Sequence, residues 1–328
     1  MDRHETATAL AGALDHHRRG NLGQAERIYR NILKQQPDHA DTLHLLGILA
    51  LQTGHPGQAE QLIRRAVENG PDNATYYFNL ANSLKAQKKN REAIKTYERA
   101  IALKPDYTDA YNNLGTLLND LGHDDEAIAS LQQALKHDPG CAEAANNLGF
   151  ILEEKGDFHK ALEQYQDALS RCPENAEFRN NVANILHVLG RNKEAVEHFR
   201  KALNLDPDNA AIHNNLGNVR HFQGHNTEAL HHFQRALQLQ PDYAEAHSNM
   251  GNTLKDLGRC DEALDHYRQA LRLKPDYAEA HSNLLFLLSY NVLCSPQQML
   301  DESRQWDRAH GASNRFEHVT SGKTPQRL

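Results

Sequence analysis

The chain has 328 residues, 39% of them hydrophobic, and its 36 Lys and Arg against 43 Asp and Glu leave a net charge of -7. A nucleic-acid binder shows a basic stripe that displaces counterions from phosphates, and none runs through this sequence. Four cysteines (Cys141, Cys172, Cys260, Cys294) form no CxxC pair and no metal-ligand spacing, which argues for small apolar filling and against a disulfide framework or a zinc site.

The N-terminal residues lack the apolar stretch of a signal peptide, and no run reaches membrane-spanning length. The expectation is a soluble, cytoplasmic protein with neither a nucleic acid nor a membrane as partner. Eight prolines then stand 34 residues apart: Pro37, Pro71, Pro105, Pro139, Pro173, Pro207, Pro241 and Pro275. A strict period of this length marks a solenoid, whose units bury their apolar faces only against their neighbours. A mean hydropathy of -0.75 agrees with thin, repeated cores under a large solvated surface.

One unit shows the logic. Tyr111, Leu114, Leu118 and Leu121 recur at three- and four-residue steps and predict an amphipathic helix A, which Gly122 breaks. Helix B follows, with Ala127, Ile128, Leu131, Ala134 and Leu135 on one face, and Pro139 stops it. The breaking glycine recurs at Gly20, Gly54, Gly156, Gly190, Gly224 and Gly258, as a left-handed helix cap requires, but the third unit has Lys88 there and predicts strain. Small residues on helix B (Ala25, Ala59, Ala93, Ala127, Ala161, Ala195, Ala229, Ala263) let the two helices approach closely. After most of the prolines comes an acid (Asp38, Asp72, Asp106, Glu174, Asp208, Asp242, Asp276), expected to cap the next helix and oppose its dipole.

These elements predict an all-α solenoid over residues 1–290, with eight repeats at about 6–277 and a ninth, capping helix. A short C-terminal helix is expected within 291–311, and a disordered polar tail over 312–328.

Within helix A, Asn79, Asn113, Asn147, Asn181, Asn215, Asn249 and Asn283 repeat at the same period. Beside them stand Asn112, Asn146, Asn180 and Asn214, continued by Ser248 and Ser282. One turn later come Asn82, Asn184, Asn218 and Asn252, interrupted by Thr116, Phe150 and Phe286. Asparagine is a poorer helix former than alanine by about half a kcal/mol, so its retention needs a reason. Drift elsewhere on helix A (Lys85, Asn119, Glu153, His187, His221 and Lys255 share one site) excludes recent duplication as that reason. A primary amide can pair with the N–H and C=O of an extended peptide without reading its side chains. It can equally bond the neighbouring helix and lock repeat-to-repeat geometry. The residues alone leave both readings open.

His213, His247 and His281 share one helix A position and are expected to fill a half-buried aromatic slot. The string His221, His225, His231, His232 suggests a metal, but Gly224 breaks the helix between the first two, so surface charge is the better reading. From Ser289 the period fails. Ser295, Pro296 and Gln298 read as an N-cap, a first helical residue and a capping-box partner. Met299, Leu300 and Trp306 follow in a helix that Gly311 ends, with the tryptophan expected to pack on the last repeat.

The pattern Tyr111, Leu114–Gly115, Ala127, Leu131, Ala134, Pro139 resembles the tetratricopeptide repeat. The resemblance implies a right-handed superhelical solenoid whose helices A line a concave groove. Asparagine at this helix A position resembles the repeats of O-linked N-acetylglucosamine transferases, which line a groove for acceptor polypeptides, and this favours peptide binding by the asparagine sets. Acids near the helix A starts (Asp41, Asp109, Glu143, Glu177, Glu245, Glu279) speak against the cationic clamp by which chaperone-binding repeats hold an acidic tail. Residues 278–311 resemble the junction between repeats and catalytic domain in bacterial, SPINDLY-like members of the transferase family. Only a polar tail follows, without a Gly-rich phosphate loop, so no catalytic residue, cofactor or metal is implied. The expected function is a noncatalytic scaffold for extended or disordered protein segments. The alternatives are the acceptor-binding part of a protein glycosyltransferase, and a self-assembly scaffold forming a homo-oligomer.

Overall fold

The computed structural model describes residues 3–290 and 296–310, and among these it contains helices and the turns between them. Two compact units divide the chain, residues 1–172 and 173–328. The first holds α1 (Arg3–Arg18), α2 (Leu22–Gln35), α3 (Ala40–Gln52), α4 (Pro56–Asn69), α5 (Ala74–Ala86), α6 (Asn90–Leu103), α7 (Thr108–Asp120), α8 (Asp124–His137), α9 (Ala142–Glu154) and α10 (Phe158–Arg171). The second holds α11 (Ala176–Val188), α12 (Asn192–Leu205), α13 (Ala210–Phe222), α14 (Asn226–Leu239), α15 (Ala244–Asp256), α16 (Cys260–Leu273), α17 (Ala278–Tyr290) and α18 (Pro296–His310). Odd-numbered helices are the helices A, and α1 to α15 each pack most closely on the helix B that follows, whereas α17 packs most closely on α16 before it. The expected breaks at Ser295 and Gly311, Cys294, and the tail over 312–328 lie outside the described residues.

A large side chain on helix B fills each A–B pair. Tyr29, Ile63, Tyr97, Leu131, Tyr165, Phe199, Phe233 and Tyr267 stand 34 residues apart and are all but fully buried. The alanines at the start of helix B, Ala25 to Ala263, are completely buried, as their size requires. Helix A meets each large side chain with a small residue. A methyl added at Gly47, Gly115, Gly149, Gly217 or Gly251 would come within 2.5–2.8 Å of the facing side chain. This knob-and-hole pairing joins a core to which helix A adds Leu80, Leu84, Leu114 and Leu117 in the first unit and Met250 and Leu254 in the second.

Gly217→Ala tests it. The added carbon would meet the Phe233 ring at 2.7 Å. Overpacking costs about 1–3 kcal/mol, and the better helix propensity of alanine offsets about 1 kcal/mol of that. A net loss of about 1 kcal/mol is expected in urea unfolding, and an unchanged midpoint would show that the ring yields freely.

The A–B turns close as expected. In the fourth repeat the Gly122 amide donates to the Asn119 carbonyl and the His123 amide to the Leu118 carbonyl, with Gly122 at φ 76°. Lys88 makes the same turn: its amide donates to Lys85 and that of Lys89 to Leu84, at φ 59°. A side chain in this region costs about 1–2 kcal/mol, so the strain expected at Lys88 is present.

The acids after the prolines do not cap. The cap falls one residue later, where His39, Asn73, Asn175 and Asn209 accept a backbone N–H of their helix's first turn. The acid lies within the preceding turn, too early in the chain to reach those amides. Asp38 and Asp208 instead pair with Arg65 and Arg235 on the following helix B. At the C-terminal end Met299 of α18 packs on a cluster that includes Leu284, Leu287 and Leu288, while Leu300 is exposed and Trp306 half-buried.

Candidate peptide-binding face

Helix A places its sixth residue, the recurrent asparagine, half-buried beside the helix A of the repeat before it. There its amide nitrogen is put to use. Asn113 donates to Asn82 Oδ1 at 3.0 Å, Asn147 to Asn112 Oδ1 at 3.0 Å and Asn283 to Asn252 Oδ1 at 3.1 Å. Asn79 donates to the Thr75 carbonyl and faces His44 Nε2 at 2.9 Å, so a histidine takes the place of an asparagine at the first rung. Asn146 and Asn181 are engaged as well.

In the second unit the two asparagine sets join into one chain. Asn249 donates to Asn214 at 3.0 Å, Asn214 to Asn215 at 3.3 Å, Asn215 to Asn180 at 3.1 Å, and Asn180 to Asn181 at 3.4 Å. Five amides thus run head to tail across three repeats. Each keeps a second N–H or a lone pair, because a primary amide has two donors and two acceptor sites. The array fixes repeat-to-repeat register and still presents polar groups on the same face.

The third set behaves differently, and the facing helix B and the next repeat's asparagine together decide how. Tyr97 and Tyr267 donate their hydroxyls to Asn82 and Asn252, which also accept from Asn113 and Asn283. Both lone pairs of these two carbonyls are taken. Where helix B carries Phe199 or Phe233 there is no hydroxyl, and the amides of Asn184 and Asn218 have no hydrogen-bond partner among the described residues. Asn184 is half-buried and Asn218 exposed. One turn further on stand Val188 and Phe222, 51% and 71% exposed, with the Phe222 ring edge-on to His187. Exposed phenylalanines also replace the third-set asparagine at Phe150 and Phe286.

Val188 and Phe222 were not singled out from the sequence. The signal was there: both stand at the last residue of helix A, where the fourth and fifth repeats have Asp120 and Glu154. Among the acids at the helix A starts, Asp41 accepts the Tyr76 hydroxyl and Glu245 pairs with Lys274 at 3.5 Å.

The histidines form a second regular feature, inside the A–B pairs. His213 donates from Nε2 to the Pro207 carbonyl and meets His232 Nδ1 with its own Nδ1 at 3.1 Å. His247 repeats this with Pro241 and with His266, at 2.9 Å. Since Nε2 carries the proton, Nδ1 of His213 and of His247 accepts, and the partner histidine donates. Burial lowers all four below the usual imidazole range, and the neighbouring imidazole adds to this for His232, which falls to about 4. Burial also takes His44 down to about 4. His281 is buried at the equivalent position. No group of three or more His, Cys, Asp or Glu among the described residues is placed to hold a metal ion. No described helix is long and apolar enough to cross a membrane.

Within each unit, stacked antiparallel helix pairs set their helices A side by side, and this defines a helical-repeat scaffold. Tetratricopeptide repeat models match residues 16–84, 81–122, 109–174, 183–224 and 208–276. The chain belongs to the tetratricopeptide repeat family. No curated protein matches it. Among solved structures, the Cut9–Hcn1 hetero-tetramer of the APC/C is similar over 88% of this chain and 57% of that one, at 18% identity and a TM-score of 0.64. Pseudomonas aeruginosa pilF is similar over 62% of this chain and 92% of that one, at 23% identity and a TM-score of 0.55. MamA shares 28% identity over 48% of this chain and 93% of its own, with a TM-score of 0.45. The first two likenesses support the fold.

Proposed function

We propose that the protein is a noncatalytic scaffold that holds extended polypeptide segments along its helix A face, with the asparagine sets as the polar floor. Asn184 and Asn218 make the direct contacts. The observation that carries this is their uncommitted amides, in neighbouring repeats, each one turn from an exposed apolar side chain. An extended segment alternates backbone polar groups with side chains. Amides at Asn184 and Asn218 suit its N–H and C=O groups, and Val188 and Phe222 suit its apolar side chains. The bonded asparagines contribute in two ways, holding register and offering their remaining lone pairs. If residues 278–311 lead into a sugar-transferring domain, as their resemblance implies, the same face serves as its acceptor site.

The test is binding of the whole chain to an array of unstructured peptides, with Asn184→Ala/Asn218→Ala as the variant. Two lost hydrogen bonds of about 1 kcal/mol each are expected to weaken retained peptides about tenfold to thirtyfold. The melting temperature is expected to hold or rise slightly, since neither amide bonds the protein and alanine is the better helix former by about half a kcal/mol per site. Unchanged binding would remove these two residues from the site and, with them, the basis of this reading.

A further inference from the structure

The turn of the third repeat combines a strained backbone with unpaired charge. Seven A–B turns close on glycine at φ 73–79°, and the eighth closes on Lys88 at 59°. Glycine takes this conformation freely and lysine does not. Strain of this kind persists only where the surroundings over-determine it. Here Glu60, on the preceding helix B, supplies the restraint. It accepts from Lys89 Nζ at 2.6 Å, Gln87 Nε2 at 2.8 Å and Arg64 Nε, through its other oxygen, at 2.9 Å. These donors hold its carboxyl down at about 2 against the opposing effect of burial. The turn is therefore clamped from below, and the Lys88 side chain stands outward, exposed.

A cleft of about 510 Å³ opens beside it. Its rim carries Lys88, Lys89, Arg91 and His123, and its floor includes Ile94 and the exposed Leu121. Lys89 is occupied by Glu60, and Glu92, which also lines the cleft, is occupied by Arg64. Lys88 and Arg91 have no carboxylate partner among the described residues. Residues 84–99 hold six cations and two carboxylates, in a chain whose net charge is -7. The cleft lies at the turns of the third and fourth repeats, away from the mid-helix asparagines.

We propose that this cleft is a second docking site, taking an acidic segment of a partner protein with a bulky apolar residue between its carboxylates. The apolar side chain enters onto Ile94 and Leu121, and the flanking carboxylates meet Lys88 and Arg91. The apolar floor calls for a side chain, which a phosphate backbone does not offer. Of the acids that follow the cleft in the chain, Asp125 is taken up by Lys155 and Glu126 lies 4.0 Å from His123.

The experiment uses the full chain and a fluorescein-labelled peptide of glutamates flanking a single leucine, followed by anisotropy. Lys88→Gly/Arg91→Gln is expected to weaken binding at least about tenfold, and affinity is expected to fall steeply between about 50 and 300 mM salt. Lys88→Gly alone is expected to raise the melting temperature by about 2–4 °C while weakening the peptide, because it relieves the turn and removes a contact. Asn184→Ala/Asn218→Ala is expected to leave this binding unchanged, which separates the cleft from the helix A face. The proposal is overturned if Lys88→Gly/Arg91→Gln binds as tightly as the native chain. It is also overturned if a serine in place of the peptide's leucine makes no difference, or if a DNA duplex or phosphatidylserine vesicle of matched charge competes fully.

Discussion

Acidification from pH 7 to pH 4.5 destabilises the protein by several kcal/mol, and histidines carry the loss. His44 is nearly buried, and its pKa falls to about 4 from 6.5, mainly through burial and against the pull of Asp41. The imidazole accepts from Asn79 only while neutral. Above pH 6.5 both folded and unfolded states hold it uncharged. As the pH falls below 6.5 the unfolded state takes up the proton first, so stability drops until the folded group also titrates near 4. For His44 that amounts to at most about 3 kcal/mol.

The two histidine pairs add to this in the second unit. One proton per pair sits between the Nδ1 atoms, and a fully protonated pair would set two N–H groups against each other. Arg235, His231 and Arg220 also disfavour charge on the first pair, while Asp208 and Glu228 favour it. On the second pair Arg272 disfavours charge, and Asp265 and Glu262 favour it. Glu60, with its carboxyl held near 2, contributes stability that is lost only as the pH falls below about 4.5, which separates it from the histidines. Urea unfolding at half-unit steps from pH 7.5 to pH 3 checks this. A flat profile down to pH 5 would show that the histidines titrate normally. His213→Phe/His247→Phe is expected to shrink the loss above pH 4.5.

Replacing Asn215 and Asn249 together by alanine lowers stability by about 2–4 kcal/mol. Each gives one bond to the repeat before it, worth about 0.5–1.5 kcal/mol net. Each deletion also strands the carbonyl of Asn180 or Asn214, and the buried Asn214 costs more to leave unpaired. Alanine is the better helix former and offsets roughly half a kcal/mol per site. The two residues belong to one chain of amides, so the double variant is expected to differ from the sum of the single ones. Urea unfolding of the two single variants and the double variant measures this coupling. Additive effects below about 0.5 kcal/mol each would mean that water replaces the rungs without loss.

Much of the fold was legible because a solenoid repeats its signals. The proline spacing, the breaking glycines and the buried alanines each appear seven or eight times, so local chemistry could be read without knowing any long-range contact. Lys88 was legible for the same reason: one departure from a rule kept seven times. The acids after the prolines show where reading by residue type fails. A carboxylate and a cap differ by one position in the turn, and only the backbone path places Asp38 beside Arg65 and His39 at the helix start.

The asparagines divide the same way. Their recurrence on helix A was written in the sequence, together with the two uses a primary amide can have. Tertiary structure decided which amides are already committed, because that depends on residues 15, 31 and 35 positions away. Tyr97 closes the site at Asn82, and Tyr267 closes it at Asn252. At Asn184 and Asn218 the facing residues are Phe199 and Phe233 instead, and the amides stay open. Two groups make that difference, the missing hydroxyl on the facing helix B and the next repeat's asparagine, since Asn215 and Asn249 donate to Asn180 and Asn214 instead. Sequence periodicity, which records only where a side chain recurs, does not record what it faces.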